Sequence, residues 1–532
     1  MPMAKEVTIG PFIKGMTQSD TANLDDFSGA WEIVNFDIQP DGTLYTRKPL
    51  LPKTTTLNQR SNVIGSYVSA NGTVYTIVDA TNGVYAIQPN GVAVLITINH
   101  SHVALQYANK LWVVCYSGAS GRWDPAGGFV IVSAMPLGAS AVIKNDRLLV
   151  SGVTSEAKLY WSDAGVFSDW VGAGGGETTV RTQDGGFLQK LLIYNDQVLV
   201  FKDRGTWILS FTSDPGLGTL RNISPSVGTQ NPFTACGNTQ YAYTYFSGQI
   251  YRIESNELQV ISTLLRHNLT AHDDNNTPSN DFSAGDPALP YDVNHFCSFV
   301  DETRVVFKVE ESYWVWNSYS QAWAKYEFET ITTTLHAPVA LENQPTPYAT
   351  TGGPGPIYPV PSLDDGISYD YVSGGITSTD LNLYDWVGWN TDSALYSVLP
   401  FDAWVVTKGL TFGASAQFKR LFHWGVDALH EGVIAGAIIP ITASQPATWA
   451  AVGQRRWNEL GTWNNLLGPL QGFTETIITT TFGFRSYIKF SKATRFRRAN
   501  FRVTFSREIK GSQFFTLRAF VKASELVAAR ES

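Results

Sequence analysis

Charge is scarce in this chain. Only 16% of its 532 residues are Asp, Glu, Lys or Arg, against roughly a quarter in a typical globular protein. Cysteine is scarcer still. Cys115, Cys236 and Cys297 stand far apart and outside any CxxC pair, which excludes a disulfide framework and a cysteine-based zinc module. No apolar run approaches the roughly 18 residues of a membrane-crossing helix. The opening MPMAKEVTIGPFIKG lacks the apolar core of a secretory signal, so a soluble protein without a membrane span is expected. The common catalytic signatures are missing too: there is no GxxxxGK[ST] phosphate loop, no HExxH helix and no GxSxG elbow. What the chain does have is aromatic residues, with 16 Trp, 23 Tyr and 29 Phe in a composition that is 43% hydrophobic. These are strand-favouring side chains, and they point to an all-β protein with a large core.

The few charges are unevenly placed. Residues 262–400 carry 4 Lys+Arg against 18 Asp+Glu, a balance of −14, whereas residues 401–532 carry 17 against 8, a balance of +9. The acidic part contains Asp273, Asp274, Asp281, Asp286 and Asp292, broken by Pro278, Pro287 and Pro290, and reads as a long solvated insertion. The basic part is densest at Arg485, Lys489, Lys492, Arg495, Arg497, Arg498 and Arg502. In YIKFSKATRFRRANFRVTF these cations alternate imperfectly with aromatics, so strands there would turn one face to a core and the other to water. The outward charge makes these seven residues the candidates for an intersubunit or partner contact, with DNA phosphates as a weaker alternative.

A pattern recurs through the first two thirds of the chain: a small turn, alternating apolar residues, a polar link and an aromatic-rich second strand. It appears at 71–88, 108–123, 145–163, 195–210, 238–254 and 301–317, with starts 37, 37, 50, 43 and 63 residues apart. Asn-Gly, Asn-Asp and Ser-Gly supply hairpin turns. Such spacing predicts a β-propeller of six or seven blades over residues 51–400, with the acidic insertion near 265–295 and a seventh unit at 366–389. Residues 1–50 would be an N-terminal arm offering closing strands. From 401 to 532 the rhythm changes, and strands in FDAWVVTKGLTFG, FKRLFHWGVD, RFRRANFRVTF and SQFFTLRAFVKA predict a separate β-sandwich or jelly-roll-like domain.

Chemistry-bearing clusters are few. His100 and His102 are two apart and would share a strand face, as two metal ligands would, but no third ligand is near in sequence. Asp273, Asp274, Asn275, Asn276 and Asp281 offer oxygen ligands without EF-hand spacing. Asp364, Asp365 and Asp370 lack anything to set a glycosidase-like separation. Trp314, Trp316 and Trp323 would stack on a sugar or, on alternating strands, fill a core. No enzymatic activity, metal or cofactor is expected.

Several of these phrases resemble the β-propeller virion proteins of tailed bacteriophages, the tail nozzle and head-to-tail stabilisation or tail accessory proteins. The resembling residues are Asn35, Gly42, Leu44, Arg47 and Pro49; Asn145, Arg147, Leu148 and Leu149 with Tyr160, Trp161, Ser162 and Asp163; and Asn195, Gln197 and Val200 with Thr206 and Trp207. The resemblance implies a structural ring subunit, commonly six-fold, of a nozzle or neck conduit through which DNA is ejected. Its partners would be identical subunits, portal, adaptor or other tail proteins, with genomic DNA passing non-specifically close by. It would be made in the host cytoplasm and reside in the virion. The alternative function is a virion-associated carbohydrate or host-receptor binder.

Overall fold

The Asn-Asp pairs of NDRLLV and NDQVLV do what their composition predicts. In the computed structural model Asn145 and Asp146 have φ of 50° and 56°, and Asn195 and Asp196 have 48° and 58°, the left-handed pair of a tight hairpin turn. The model describes residues 5–17, 27–47, 51–54 and, with short breaks, 61–265; beyond these it describes 296–327 and 401–441 with short breaks, and strands within 335–385, 473–508 and 512–523. The acidic insertion, most of the 366–389 unit, Asp364, Asp365 and Asp370 lie outside the described residues.

Among the described residues the fold is all-β, with two 3-10 turns and no α-helix. Five four-stranded antiparallel sheets follow one another along residues 61–97, 101–131, 138–179, 188–224 and 235–260. In each, the second strand is buried along almost its whole length, as in Arg147–Gly152 and Gln197–Lys202. The fourth strand is a sheet edge, and in the third and fifth sheets it alternates polar residues with half-buried ones. Consecutive sheets share apolar clusters: Ile77 and Val84 of the first pack with Val113 and Trp123 of the second, and Leu149 and Trp161 of the third with Leu191 and Val200 of the fourth. The end of one first strand also reaches the turn of the next sheet. The Tyr67 hydroxyl donates to the Asn109 carbonyl at 3.0 Å and the Tyr107 hydroxyl to Asp146 Oδ1 at 3.0 Å, while Lys144 pairs with Asp196.

The remaining strands do not form a self-contained C-terminal unit. A ten-stranded mixed sheet runs from Phe296–Val300 through Arg304–Val309, Ser312–Asn317 and Ala322–Tyr326 to the N-terminal strands Gly15–Met16 and Gly29–Val34. It then continues into Phe401–Thr407, Arg498–Glu508, Gly432–Ile441 and Phe473–Thr479. A seven-stranded sheet unites Lys5–Ile9, Phe36–Ile38 and Leu44–Thr46 with Lys419–Leu429, Ser486–Phe490, Thr494–Phe496 and Gln513–Ala523. The two sheets enclose a common core in which Ile33, Val405 and Phe505 meet Leu421, Val426 and Leu517. Phe505 lies edge-on to both Phe36 and Phe514, at 5.6 and 6.0 Å.

This corrects the expected six- or seven-bladed β-propeller followed by a β-sandwich or jelly-roll-like domain. The four-stranded sheets are open paths with two edges, the seven-stranded sheet branches where Lys5–Ile9 and Thr494–Phe496 join it, and no set among the described residues closes into a barrel or propeller. The physical reason lies in the Phe296–Tyr326 meander. Its last strand, Ala322–Tyr326, pairs in parallel with N-terminal strands instead of ending a blade, and the C-terminal strands extend that same sheet. A buried polar network holds the junction. The Arg47 Nε donates to Asn35 Oδ1 at 2.8 Å, Asn35 Nδ2 to the Asp402 carbonyl at 2.7 Å, and Arg304 Nη1 to the Tyr326 hydroxyl at 3.1 Å, while that hydroxyl donates to Asp37.

Candidate contact surface

The outward face of the seven-stranded sheet gathers cations from strands distant in sequence. Along Lys419–Leu429, Leu421, Trp424, Val426 and Ala428 turn into the core. A register shift between Leu421 and His423 against the Gln513–Ala523 strand interrupts the alternation, and Phe422 is left at the surface. Arg420 is exposed, and its backbone pairs in register with Arg495 on one neighbouring strand and with Lys522 on the other. The Arg420 guanidinium covers the Phe422 ring at 5.3 Å. Further along, the His423 ring stacks on Phe520 at 4.0 Å. Burial and the nearby Lys489 ammonium hold its pKa below the ordinary value, against the pull of Glu6. Lys489 itself is exposed, opposite Gly425.

Carboxylates interrupt this positive face. Arg518 Nη2 donates to Asp427 Oδ2 at 2.6 Å, and Glu6 Oε1 stands 3.5 Å from Arg518 Nη1. The Asp427 hydrogen bond and charge, with Glu6 adding to them, keep the Arg518 guanidinium above its usual pKa. The surface is therefore mixed in sign with a positive excess.

The structure divides the seven candidates read from the sequence. Lys489 and Arg495 belong to strands of this face. Arg498 and Arg502 belong to the ten-stranded sheet, opposite Ile441 and Val406. There the Arg502 guanidinium lies over Trp404 at 4.9 Å, and the same indole donates to the buried Glu32 carboxylate at 3.1 Å. Burial raises the Glu32 pKa. Arg485, Lys492 and Arg497 lie outside the described residues. Arg420, Phe422, Arg518 and Phe520 were not among the candidates. Their signal was present in KRLFHWGVD and TLRAFVKA, where cations alternate with apolar residues as they do in the basic segment.

The histidine pair points to packing. His100 Nδ1 lies 3.0 Å from Asp79 Oδ1, and burial pushes the Asp79 carboxyl up to about 6 despite that hydrogen bond. His102 turns instead into an aromatic pocket, stacked on Tyr116 at 4.1 Å and edge-on to Phe233 at 5.1 Å. Burial, with Lys190 and His100 adding repulsion, pushes its pKa down to about 3. Among the described residues no three His, Cys, Asp or Glu side chains gather as a metal site would require. Cys115 and Cys236 are buried thiols outside any disulfide among the described residues, and burial pushes the Cys115 thiol up to about 12, far from a reactive thiolate. Trp314, Trp316 and Trp323 are core residues with no face free for a sugar. No described helix is long and apolar enough to cross a membrane.

No family model matches the chain, and no curated protein does. Among solved structures it is similar to the virginiamycin B lyase of Staphylococcus aureus at 12% identity and a TM-score of 0.36, over 57% of this chain and 95% of that one. It is also similar to PorZ, a surface component of the type-IX secretion system of Porphyromonas gingivalis, at 12% identity and a TM-score of 0.34, over 70% and 44%. The Neurospora crassa Pan2 WD40 domain is similar at 8% identity and a TM-score of 0.35, over 55% and 86%. Likeness this low carries no argument about activity.

These findings correct the resemblance to tailed-bacteriophage virion proteins, and with it the reading as a tail nozzle or neck ring subunit for DNA ejection or a virion-associated receptor binder. The closed propeller that the resemblance implied is not what the described sheets make. The quoted motifs have local explanations. Asn145 and Asn195 serve hairpin turns, Trp161 fills a cluster between sheets, and Asn35 and Arg47 make one buried hydrogen-bond network. Any antiparallel sheet protein can use such devices, so they identify hairpins and packing but no family.

Proposed function

We propose that this chain is a non-catalytic interaction scaffold whose seven-stranded sheet docks an acidic segment of a partner polypeptide. The supporting observation is that Arg420 and Lys489 stand exposed on this sheet, with the Arg420 guanidinium against the surface ring of Phe422. Carboxylates from a partner would pair with these cations. Phe422 adds an apolar anchor beside them. A polypeptide fits better than a nucleic acid because the Phe422 ring already carries a guanidinium where a base would stack.

The test is fluorescence anisotropy of the full chain with a labelled glutamate-rich peptide and, separately, a labelled single-stranded oligonucleotide. The peptide is expected to bind at low ionic strength and to weaken as salt is added. Arg420→Glu combined with Lys489→Glu is expected to abolish binding while leaving the thermal melt in place. Absence of peptide binding at low salt, indifference to the double substitution, or preference for the oligonucleotide would each sink the reading.

A further inference from the structure

Asparagine followed by glycine occurs three times in the chain, and the pairs Asn71-Gly72, Asn82-Gly83 and Asn90-Gly91 fall at the three turns of the first four-stranded sheet. With no Cβ to shield it, a glycine nitrogen can reach the side-chain carbonyl carbon of the asparagine before it. The first and third turns are built alike. The Gly72 N–H donates to the Ser69 carbonyl at 2.8 Å and the Gly91 N–H to the Gln88 carbonyl at 2.9 Å. Asn71 Oδ1 accepts from the Thr73 N–H at 3.2 Å and Asn90 Oδ1 from the Val92 N–H at 3.1 Å. What separates the three pairs is access to the glycine. Asn71 and Gly72 are both exposed, and nothing lies within 4 Å of where a Gly72 Cβ would stand. Gly91 is buried. Gly83 is buried too, at the head of strand Gly83–Ile87, where a Cβ would stand 2.1 Å from the Thr97 carbonyl oxygen. The Ser69 hydroxyl, shared with the Thr73 carbonyl, also reaches Asn71 Oδ1, a donor placed where negative charge develops when Cγ is attacked.

We infer that Asn71 is a site of spontaneous modification, converting to aspartate and isoaspartate through a succinimide, while the fold protects Asn82 and Asn90. The Gly72 nitrogen leaves its bond to the Ser69 carbonyl and attacks Asn71 Cγ. The new C–N bond closes an imide ring, the Cγ–Nδ2 bond breaks, and the amide departs as ammonia with the proton that Gly72 gives up. Water then opens the ring at either carbonyl. The ring needs room around the glycine nitrogen and water needs access to it, and the first turn alone among the three offers both. The aspartate product has a precedent in the same chain. Asp41 Oδ1 accepts from the Thr43 N–H at 2.9 Å, next to Gly42 at a φ of 80°, which is the same turn built on a carboxylate. Isoaspartate instead carries the backbone through the former side chain and adds an atom to the turn, which loosens the hairpin end where Val68 pairs with Val74.

Peptide mapping by mass spectrometry of the full chain, aged in mildly alkaline buffer, tests this. Conversion is expected at least tenfold faster at Asn71 than at Asn82 or Asn90, with both products present and told apart by electron-transfer fragmentation. In the urea-unfolded chain the three rates should converge, because the same dipeptide is then equally accessible at each position. An unconverted Asn71 in the folded chain overturns the inference, as do equal rates at the three asparagines. A preference for Asn71 that persists unchanged in urea overturns it too, since local sequence and not the fold would then choose the site.

Discussion

The Gln106 side-chain amide closes both backbone groups of Val68. Its Oε1 accepts from the Val68 N–H at 2.7 Å, and its Nε2 donates to the Val68 carbonyl at 2.8 Å. Val68 ends the first strand of the first sheet, where the ladder stops, and the amide from the second sheet stands in for one more peptide unit. Gln106→Leu keeps the side-chain size but strands both groups. The expected loss is about 1–3 kcal/mol of stability, read from urea unfolding. Gln106→Asn, one methylene too short, should lose nearly as much. A neutral Gln106→Leu would show that water serves Val68 equally well.

His102 and Asp79 are expected to act on stability in opposite directions as pH changes. The folded chain holds His102 neutral until about pH 3, while the unfolded chain protonates its histidine near 6.5. Its contribution is therefore present above 6.5 and lost as pH falls toward 3, at about 1.4 kcal/mol per unit. Asp79 is raised to about 6, so its contribution is complete below the ordinary carboxylate range and lost as pH rises through 6. Between pH 4 and 6 the two slopes nearly cancel. Relative to wild type, His102→Leu should become progressively less stable as pH rises over that window, and Asp79→Asn progressively more stable. Parallel stability–pH profiles for all three chains would refute this opposition.

The middle strands were the most legible part of the fold. Segments such as LLVSG and VLVF are buried on both faces and read as apolar runs behind an Asn-Asp turn, whereas Gly176–Thr179 and Glu257–Val260 touch water on alternate residues and look like loops. What could not be read was long-range pairing. Nothing in GAWEIV specifies that it lies between AWAKY and FDAWVVT, because alternation determines which face a strand buries and leaves its neighbour open. The basic segment was legible as charge, but its division was not. Thr494–Phe496 pairs within the seven-stranded sheet, while Arg498–Glu508 pairs within the ten-stranded one, so residues adjacent in sequence end on different sheets.

Gly65 marks where the first two sheets come closest. A Cβ built there would stand 2.2 Å from the Ala104 carbonyl oxygen, and backbone cannot yield as a flexible side chain can. Gly65→Ala should force the sheets apart and cost about 1–3 kcal/mol. Gly72 is the control for a general effect of adding a methyl group, since its surroundings are open but its φ is +82°. Gly72→Asn, a residue tolerant of that backbone, should change stability by only a few tenths. Equal losses at both positions would argue against close approach as the cause.

Arg304 tests the junction that joins the two ends of the chain. Its side chain is 1% exposed and lies 3.6 Å from Asp37 Oδ2, whose own side chain is 7% exposed. The Tyr326 hydroxyl bridges the two by accepting from Arg304 and donating to Asp37. Asp37 belongs to the seven-stranded sheet and Arg304 to the ten-stranded one, so the ion pair ties the sheets together beside the shared core. Removing one charge leaves the other buried and uncompensated, which costs about 3–5 kcal/mol. Arg304→Met should therefore destabilise strongly. Arg304→Met with Asp37→Leu removes both charges of this pair and is expected to recover part of that loss, the remainder reflecting the buried Arg47 guanidinium, which also loses Asp37. The equilibrium m-value should stay constant across the series if the network adds stability alone. A double variant no better than Arg304→Met would mean that the hydrogen-bond geometry around Tyr326, and not charge compensation, holds the junction.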